Sequence, residues 1–272
     1  MTADVTALAP RIRTSIIEES YRAGVGHIGS ALSIADILAV LFGQVLNIDD
    51  EEDRDRLILS KGHAALALYA ALAATGRLSS EELASYCSEG TALGAHPEHV
   101  VPGIDFSTGS LGHGLSIGAG AALGARLQGS MRRSFVLISD AELNEGSVWE
   151  AVMFAAQQRL GRLVTILDLN GQQALGYTRD VLDLEPVADR WRQFGWLVDE
   201  VDGHDLDQLT RSIDVDADPH ARPRLVIART TFGKGVSYMQ GKIEWHYLPM
   251  SDEHFAQAME ELEMASAAEG LS

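Results

Sequence analysis

The feature that most constrains the fold is a regular alternation, from residue 135 onward, of short apolar runs and helical patterns. The runs are rich in branched residues, which favours buried strands. They cover 135–138, 163–169, 196–201 and 225–228, and the helical patterns cover 148–160, 187–194 and a segment beginning near 206. Because strands joined by helices run parallel, the pattern predicts an α/β, doubly wound fold with a mainly parallel sheet and helices on both faces.

The residues before this alternation predict helices, one strand and a long loop. Apolar residues recur at helical spacing over 4–23 and over 33–46, where Ser33 is a suitable N-cap. A short strand is expected at 57–59, an alanine-rich helix at 64–74, and a capping box at Ser79 and Glu82. Residues 88–114 carry six glycines and two prolines, which is typical of a functional loop.

Composition limits the partners and the compartment. A formal charge of -18 disfavours binding to nucleic acid or to anionic membranes. The single cysteine, Cys87, permits no internal disulfide. Residues 1–10 do not combine a cationic region with a following apolar stretch, and no apolar run is long enough to span a membrane, so we expect neither a leader nor a membrane span. We therefore expect a cytoplasmic protein with one domain over 1–272, a core at about 10–248 and an acidic C-terminal helix at about 251–268 with a frayed end.

Two polar residues directly follow neighbouring strands. Asp140 comes after the run at 135–138, and Asn170 comes after the next run, 30 residues later. Because the carboxyl ends of parallel strands share one edge of a sheet, the two oxygen-bearing side chains can converge on a cation. Magnesium prefers such hard oxygen ligands, and Gln172 could add a backbone carbonyl. The alternative is structural: Asp140 would cap the next helix and Asn170 would make a turn with Gly171.

A glycine-rich segment at 107–114 precedes a helix rich in glycine and alanine. Glycines let the backbone approach an anion, and the free N–H groups of a helix start favour negative charge. The segment could bind a phosphate, or it could serve only close packing of the helix.

Several histidines adjoin glycine or proline in expected loops or helix starts, namely His27, His63, His96 and His113. Imidazole can hydrogen-bond to phosphate or sugar oxygens and can exchange protons near neutral pH. Each histidine alone could be a surface or core residue, and His246 could belong to an aromatic cluster. Together with Asp140 and Asn170 they form a candidate site.

These residues fall in motifs that resemble those of the transketolase family's diphosphate-binding domain. The motifs are Gly-His-Ile-Gly-Ser at 26–30, Ser-Lys-Gly-His-Ala at 60–64, Gly-Ala-His-Pro-Glu at 94–98, the segment 107–114, and Ser-Asp-Ala-Glu-Leu-Asn-Glu-Gly at 139–146. Asn170, the segment 233–237 and His246 complete the resemblance, which extends from about residue 10 to about 248.

The resemblance implies two cofactors, thiamine diphosphate and Mg²⁺. It implies that the metal is held by Asp140, Asn170 and the carbonyl of Gln172. It implies that the cofactor lies against His63, Gly109, Ser110, Leu111, Asp140, Ala141, Glu145, Asn170 and His246. The resemblance also implies that Glu145 lies near a subunit interface. It implies further that the catalytic residues, which face the sugar, are His27, His63, His96 and His246.

Three departures from the family's pattern stand out. The usual Gly-Asp-Gly is Ser-Asp-Ala at 139–141, so Ala141 adds a methyl group where glycine allows close approach. His113 stands where many relatives have glutamine, and Ile28 replaces a common proline.

The implied activity is transfer of a two-carbon ketol unit from a ketose, or its phosphate, to an aldose acceptor. In the family a second α/β domain binds the aminopyrimidine ring, and the resemblance here is complete by about residue 248. We therefore expect an N-terminal subunit of a split transketolase, which forms an active α2β2 heterotetramer with a separate C-terminal pyrimidine-binding subunit. The alternatives are a noncatalytic regulatory subunit and a subunit of a related thiamine-diphosphate synthase or ketol-transfer enzyme.

Overall fold

A computed structural model describes residues 4–49, 53–216 and 218–268, and within them the chain forms an α/β fold around a parallel sheet. The strands are β1 Arg56–Leu59, β2 Ser134–Ser139, β3 Leu163–Leu169, β4 Gln172–Gln173, β5 Gly176–Tyr177, β6 Leu197–Asp202 and β7 Arg224–Arg229. The α-helices are α1 Val5–Ala23, α2 Ile28–Leu32, α3 Ala35–Val40, α4 Ala65–Ala74, α5 Ser80–Leu83, α6 His113–Leu127, α7 Gly146–Gln158, α8 Thr178–Leu182, α9 Val187–Gln193, α10 Leu206–Ile213 and α11 Asp252–Ala268. Short 3₁₀ segments occur at Gly62–Ala64, Ala141–Asn144 and Ile243–His246, and a π-helix at Leu41–Val45.

The main sheet has five parallel strands in the order β1-β2-β3-β7-β6. Both of its faces are covered, because successive side chains of a strand point to opposite sides. In β2, Phe135 and Leu137 enter the core beneath α1, α3 and α4, whereas Val136 and Ile138 enter the core beneath α6, α7 and α9. The predicted doubly wound fold with helices on both faces is confirmed.

The parallel arrangement brings four strand ends to one edge of the sheet. Lys61, Asp140, Asn170 and Thr230 each follow within two residues of the last residue of β1, β2, β3 and β7. Chemistry-bearing residues that are far apart in the sequence therefore meet at this edge.

One helix prediction is wrong in its boundaries. The expected helix over 33–46 is interrupted: α2 ends at Leu32, α3 begins at Ala35, and a π-helical turn follows. Ser33 does not cap a helix start, since its Oγ lies 2.8 Å from Oδ2 of Asp168 and 3.0 Å from the carbonyl oxygen of Ser30. The local pattern predicts that the Ser33 hydroxyl caps a helix. It instead donates to Asp168, which lies in the distant strand β3.

The other predicted elements agree with the structure to within a few residues. The capping box is present, with Ser79 and Glu82 each accepting from the other's backbone N–H. The acidic helix is α11, and residues 269–272, where its frayed end is expected, lie outside the described part of the chain. None of the helices in the described ranges is both long and apolar enough to cross a membrane.

Two glycines of α6 give a matched test of its packing against the sheet. A Cβ at Gly118 would lie 2.2 Å from Cγ2 of Val136, whereas a Cβ at Gly120 would meet nothing within 4 Å. We expect Gly118→Ala to lower the free energy of unfolding by about 1–3 kcal/mol through overpacking. Gly120→Ala should leave it unchanged or raise it by up to about 1 kcal/mol, because alanine favours the helix. Urea unfolding measures both, and equal effects would contradict this packing.

Candidate active site

A fully buried ion pair lies at the centre of the loops that follow the strands. Lys61 and Asp168 are both 0% exposed, and the ammonium group of Lys61 donates to Oδ2 of Asp168. The same ammonium group lies 3.0 Å from the backbone carbonyl oxygen of Ser30. The pair thus connects the loop after β1 with β3 and α2.

Asp168 accepts hydrogen bonds from four side chains, which satisfy a carboxylate that has left water. Besides Lys61, the donors are Oγ of Ser33 at 2.8 Å, Nδ2 of Asn170 at 3.0 Å and the hydroxyl of Thr230. The bond to Asn170 fixes the orientation of its amide, because only the nitrogen can donate. The amide oxygen of Asn170 consequently points away from Asp168.

Asp140 is also fully buried, but it has no cationic partner among the described residues. Its Oδ2 accepts from the backbone N–H of Gly171 at 2.8 Å and from the hydroxyl of Thr178 at 2.9 Å. Burial, with a further contribution from the negative charge of Asp168, raises the pKa of Asp140 to about 7. A cation beside Asp140 would favour the ionised form and relieve this cost.

The oxygen atoms near Asp140 suit magnesium in their chemistry. Oδ1 of Asp140 accepts one N–H bond, from Ala141 at 3.0 Å, and Oδ1 of Asn170 accepts one, from Gln172 at 3.0 Å. Each oxygen retains a lone pair for a hard cation. Within the described ranges no three His, Cys, Asp or Glu side chains could hold a metal, so a cation here would need amide, backbone and ligand oxygens.

The structural alternatives for these residues are also present. Asp140 precedes the 3₁₀ segment and accepts from Ala141, as a capping residue does, and Asn170 forms a turn with Gln172. These local bonds do not account for the burial of Asp140 or for the orientation of Asn170 by Asp168. The structural role is therefore present, and it leaves Oδ1 of each side chain with a lone pair that a cation could use.

Three histidines converge on a cavity of about 300 Å³ at the same edge of the sheet. The ring centroids of His27, His63 and His246 lie 5.3 to 5.7 Å from one another. Nε2 of His63 is 2.9 Å from the hydroxyl of Ser30. Nδ1 of His27 and Nδ1 of His246 are buried without a hydrogen-bond partner in the part of the chain that the structure describes. These two nitrogen atoms could therefore form hydrogen bonds with a ligand in the cavity.

Close backbone approach brings these histidines together. A Cβ at Gly29 would lie 2.1 Å from the ring of Phe232, and that ring stacks on His246 at 5.7 Å between centroids. His27 has a φ of 63°, a left-handed conformation that is strained for a non-glycine residue. Its N–H donates to the carbonyl oxygen of His246 at 3.0 Å, which holds the two loops together.

Burial, assisted by nearby positive charge, favours the neutral form of these imidazoles. Burial, together with His27 and Lys61, lowers the pKa of His246 to about 4. Burial and then the positive charge of Lys61 lower the pKa of His63 well below its usual value, and burial also lowers the pKa of His27. At neutral pH the three rings are uncharged hydrogen-bonding groups that can accept or donate a proton.

The structure brings most of the predicted residues to the site. The cavity is lined by His27, His63, His96, His246, Gly109, Leu111, Ala141, Asn170 and Gln172, together with residues from the same loops. Ser110, His113 and Glu145 do not line it, and all three are exposed. Exposure of Glu145 leaves it available to another polypeptide.

A second cavity, of about 710 Å³, adjoins the first. Asn170 and Gln172 line both cavities, and Asp140 lines the second one only. The candidate metal ligands therefore stand between the histidine cavity and a larger opening that also includes Thr178 and Thr230.

Sequence reasoning missed the residues that hold the site in place. Asp168 is a charged residue inside the apolar run of β3, and Lys61 lies two residues before His63 in the Ser-Lys-Gly-His-Ala motif, so both carried a signal. Glu142 is likewise buried and accepts from Ser60 and from the N–H of Gly112 at 2.9 Å. A charge in a run of buried residues indicates a partner, although the sequence does not identify which one.

Comparison with known proteins adds to this geometry. A family model described as "Transketolase, thiamine diphosphate binding domain" matches residues 5–269. The chain is 39% identical over 269 residues to a 6-deoxy-6-sulfo-D-fructose transketolase subunit of Clostridium sp. (strain MSTE9), covering 97% of this chain and 98% of that protein. It is 39% identical over 254 residues to an apulose-4-phosphate transketolase subunit of Phocaeicola vulgatus, covering 92% of this chain and 90% of that protein.

Solved structures show the same likeness in three dimensions. The chain resembles the crystal structure of Pichia stipitis transketolase in complex with sedoheptulose-7-phosphate, with a TM-score of 0.88 and 29% sequence identity. The match covers 97% of this chain and 41% of that one, so the chain spans about two-fifths of the solved transketolase.

The buried pair allows a direct test of what stabilises the site. Lys61→Met would leave the Asp168 carboxylate buried without its counter-charge, and we expect the free energy of unfolding to fall by about 3–5 kcal/mol. Adding Asp168→Asn removes the uncompensated charge, so the double variant should recover part of that loss. Lys242→Met, at an exposed lysine, should change stability by less than about 0.5 kcal/mol. Urea unfolding of the four proteins would refute the argument if both Lys61 variants matched the wild type.

Proposed function

Because the chain belongs to the transketolase family, we propose that it is the N-terminal subunit of a split transketolase and binds the diphosphate of thiamine diphosphate. Its partner would supply the pyrimidine-binding domain. The observation that carries the proposal is the pair of adjoining cavities, with neutral histidines in one and hard oxygen atoms at their boundary. A cofactor with an anionic diphosphate and an organic reacting centre needs both environments.

In this proposal Mg²⁺ is held by side-chain oxygens of Asp140 and Asn170 and by the carbonyl of Gln172. The raised pKa of Asp140 supports a cation at that position, and the bond from Asn170 to Asp168 supports the orientation of the amide. The diphosphate would complete the coordination, as magnesium commonly retains positions for phosphate oxygens. When bound, thiamine diphosphate supplies the electron sink for breaking and forming the carbon–carbon bond.

The histidines would bind the sugar and move protons at its oxygen atoms. His27, His63 and His246 present uncharged rings, so each can donate one hydrogen bond or accept a proton from a hydroxyl. His96 is exposed and lines the cavity against Gly109, which favours contact with the outer hydroxyls of a bound sugar. Lys61 disfavours protonation of the rings while its own charge stays buried with Asp168.

The proposed partner is a second polypeptide, and the complex is proposed to be an α2β2 heterotetramer. Two relatives that the chain covers nearly end to end are named as transketolase subunits. The solved transketolase is much longer than the matched part. The exposed Glu145 is proposed to lie at the interface between subunits. Sugars or sugar phosphates are the proposed substrates, since the names of both relatives give a sugar derivative as the substrate.

The metal and sugar roles predict different defects. Asp140→Ala and Asn170→Ala should each weaken thiamine diphosphate binding by about tenfold or more, because each removes a metal ligand. His96→Ala should retain the cofactor and raise KM for the sugar. Calorimetric titration with magnesium and with excess chelator measures the first effect, and His113→Ala is the matched control at an exposed histidine outside the cavity. Unchanged cofactor affinity in chelator would contradict the magnesium bridge.

The split-enzyme proposal predicts that turnover depends on the partner. The chain saturated with thiamine diphosphate and magnesium should show no ketol transfer by itself. Activity should appear when the pyrimidine-binding subunit is added, because that polypeptide would provide the group that activates the cofactor. Ketol transfer from ketose phosphates to aldoses is the assay, with sedimentation to determine the stoichiometry. Robust turnover by the purified chain alone would overturn the proposal.

A further inference from the structure

A third cavity, of about 470 Å³, lies between α1, α11 and the loops that follow β6 and β7. It shares no lining residue with the histidine cavity or with the adjoining metal-side cavity. Its volume falls within the range of about 300–1,000 Å³ typical of small-molecule sites. The site proposed above makes no use of it.

The charged residues lining this cavity leave an excess of positive charge. Arg13 and Lys234 are cationic, and Asp36 is the one carboxylate that lines the cavity among the described residues. Asp36 is already engaged, since its Oδ2 accepts from Arg13 and lies 2.7 Å from Nδ1 of His204. Although burial opposes the effect, the bond from His204 and the charge of Arg13 lower the pKa of Asp36, so it stays ionised and paired.

His204 does not add a charge here. Its Nε2 accepts the backbone N–H of Thr231 at 2.8 Å, so the ring proton must lie on Nδ1 and be donated to Asp36. The ring is therefore neutral while both bonds persist. Its two nitrogen atoms are used within the protein, which leaves Arg13 and Lys234 as the groups available to a ligand.

Arg13 and Lys234 both retain unused donors. Arg13 is only 8% exposed, and its Nε is buried without a hydrogen-bond partner in the described part of the chain. Lys234 is half-buried, and no described residue forms a hydrogen bond or ion pair with its ammonium group. Gly235 has a φ of 96°, and a Cβ there would lie 3.5 Å from Nε of Arg13. The missing side chain keeps the space beside the guanidinium open.

Apart from Thr6 and Ser266, the rest of the wall is mainly apolar and includes Ala9, Pro10, Leu206 and Leu262. A cavity of this size could hold roughly fifteen waters, but an apolar wall offers them few partners. The free ammonium group of Lys234 and the unused Nε of Arg13, both beside apolar carbon, instead match an anionic group on a compact apolar body.

We infer that this cavity binds a small organic anion, a carboxylate or a phosphate ester, through Arg13 and Lys234, at a site separate from the proposed active site. The protein carries 39 acidic and 21 basic residues, so two cationic residues lining one cavity are not a general property of its surface. The anionic head contacts the two cations, and the apolar body packs against α1 and α11.

Binding is tested on the full chain by calorimetry, with thiamine diphosphate and magnesium in excess so that the proposed diphosphate site is filled. The probes are phenyl phosphate and benzoate, which distinguish the two anionic groups, with benzyl alcohol as the uncharged control. We expect saturable 1:1 binding of at least one anion and none of the alcohol. The measurement requires no turnover, so its outcome is independent of the proposed ketol transfer.

Matched variants locate the site. Lys234→Gln should weaken anion binding about tenfold, the loss expected for one charge-assisted hydrogen bond. Arg13→Lys keeps the charge near Asp36 but removes Nε, and it should also weaken binding. Lys242→Gln removes the same charge at an exposed lysine outside the cavity and should have no effect. Thermal unfolding verifies that Lys234→Gln is folded. Absence of saturable binding, or equal affinity in Lys234→Gln and wild type, would overturn the inference.

Discussion

The buried ion pair between Lys61 and Asp168 is the interaction on which the rest of the site depends. Two charges that leave water are costly unless they are paired and fully hydrogen-bonded, and here Asp168 accepts from four side chains. Those donors come from the loops after β1, β3 and β7 and from the segment before α3. One carboxylate therefore fixes the relative positions of several loops, and it also fixes the orientation of the Asn170 amide.

Burial, with the same pair as a further contribution, determines the electrostatic character of the two halves of the site. On one side, burial is the main reason that the pKa of His246 falls to about 4, and His27 and then the Lys61 ammonium group lower it further. On the other side, burial and then the negative charge of the Asp168 carboxylate raise the pKa of Asp140 to about 7. Neutral hydrogen-bonding groups and a carboxylate that would gain from a cation thus lie next to each other, as binding of an organic diphosphate with magnesium requires.

Membership of the transketolase family explains why this edge of the sheet is so polar. Ligands of doubly wound folds bind outside the carboxyl ends of the strands, and here Asp140 and Asn170 follow two adjacent strands. The third cavity, which Arg13 and Lys234 line, is linked to this site through two consecutive residues. The hydroxyl of Thr230 donates to Asp168 in the site, and the N–H of Thr231 donates to His204, which lines the third cavity. The two regions are thus separate in their lining residues but adjacent along the backbone.

The sequence by itself determined the fold class, the strands and most of the residues that line the site. Periodicity predicts Leu163–Leu169 as a strand because a buried parallel strand is apolar on both faces, and ordered motifs identify His27, His63, Asp140 and Asn170. Only the tertiary structure decided which charges pair, that Ser33 bonds to Asp168 instead of capping a helix, and that Ser110 and His113 face outward. Local pattern depends on neighbours a few residues away, whereas Lys61 and Asp168 are 107 residues apart and meet only because parallel strands place their ends at one edge.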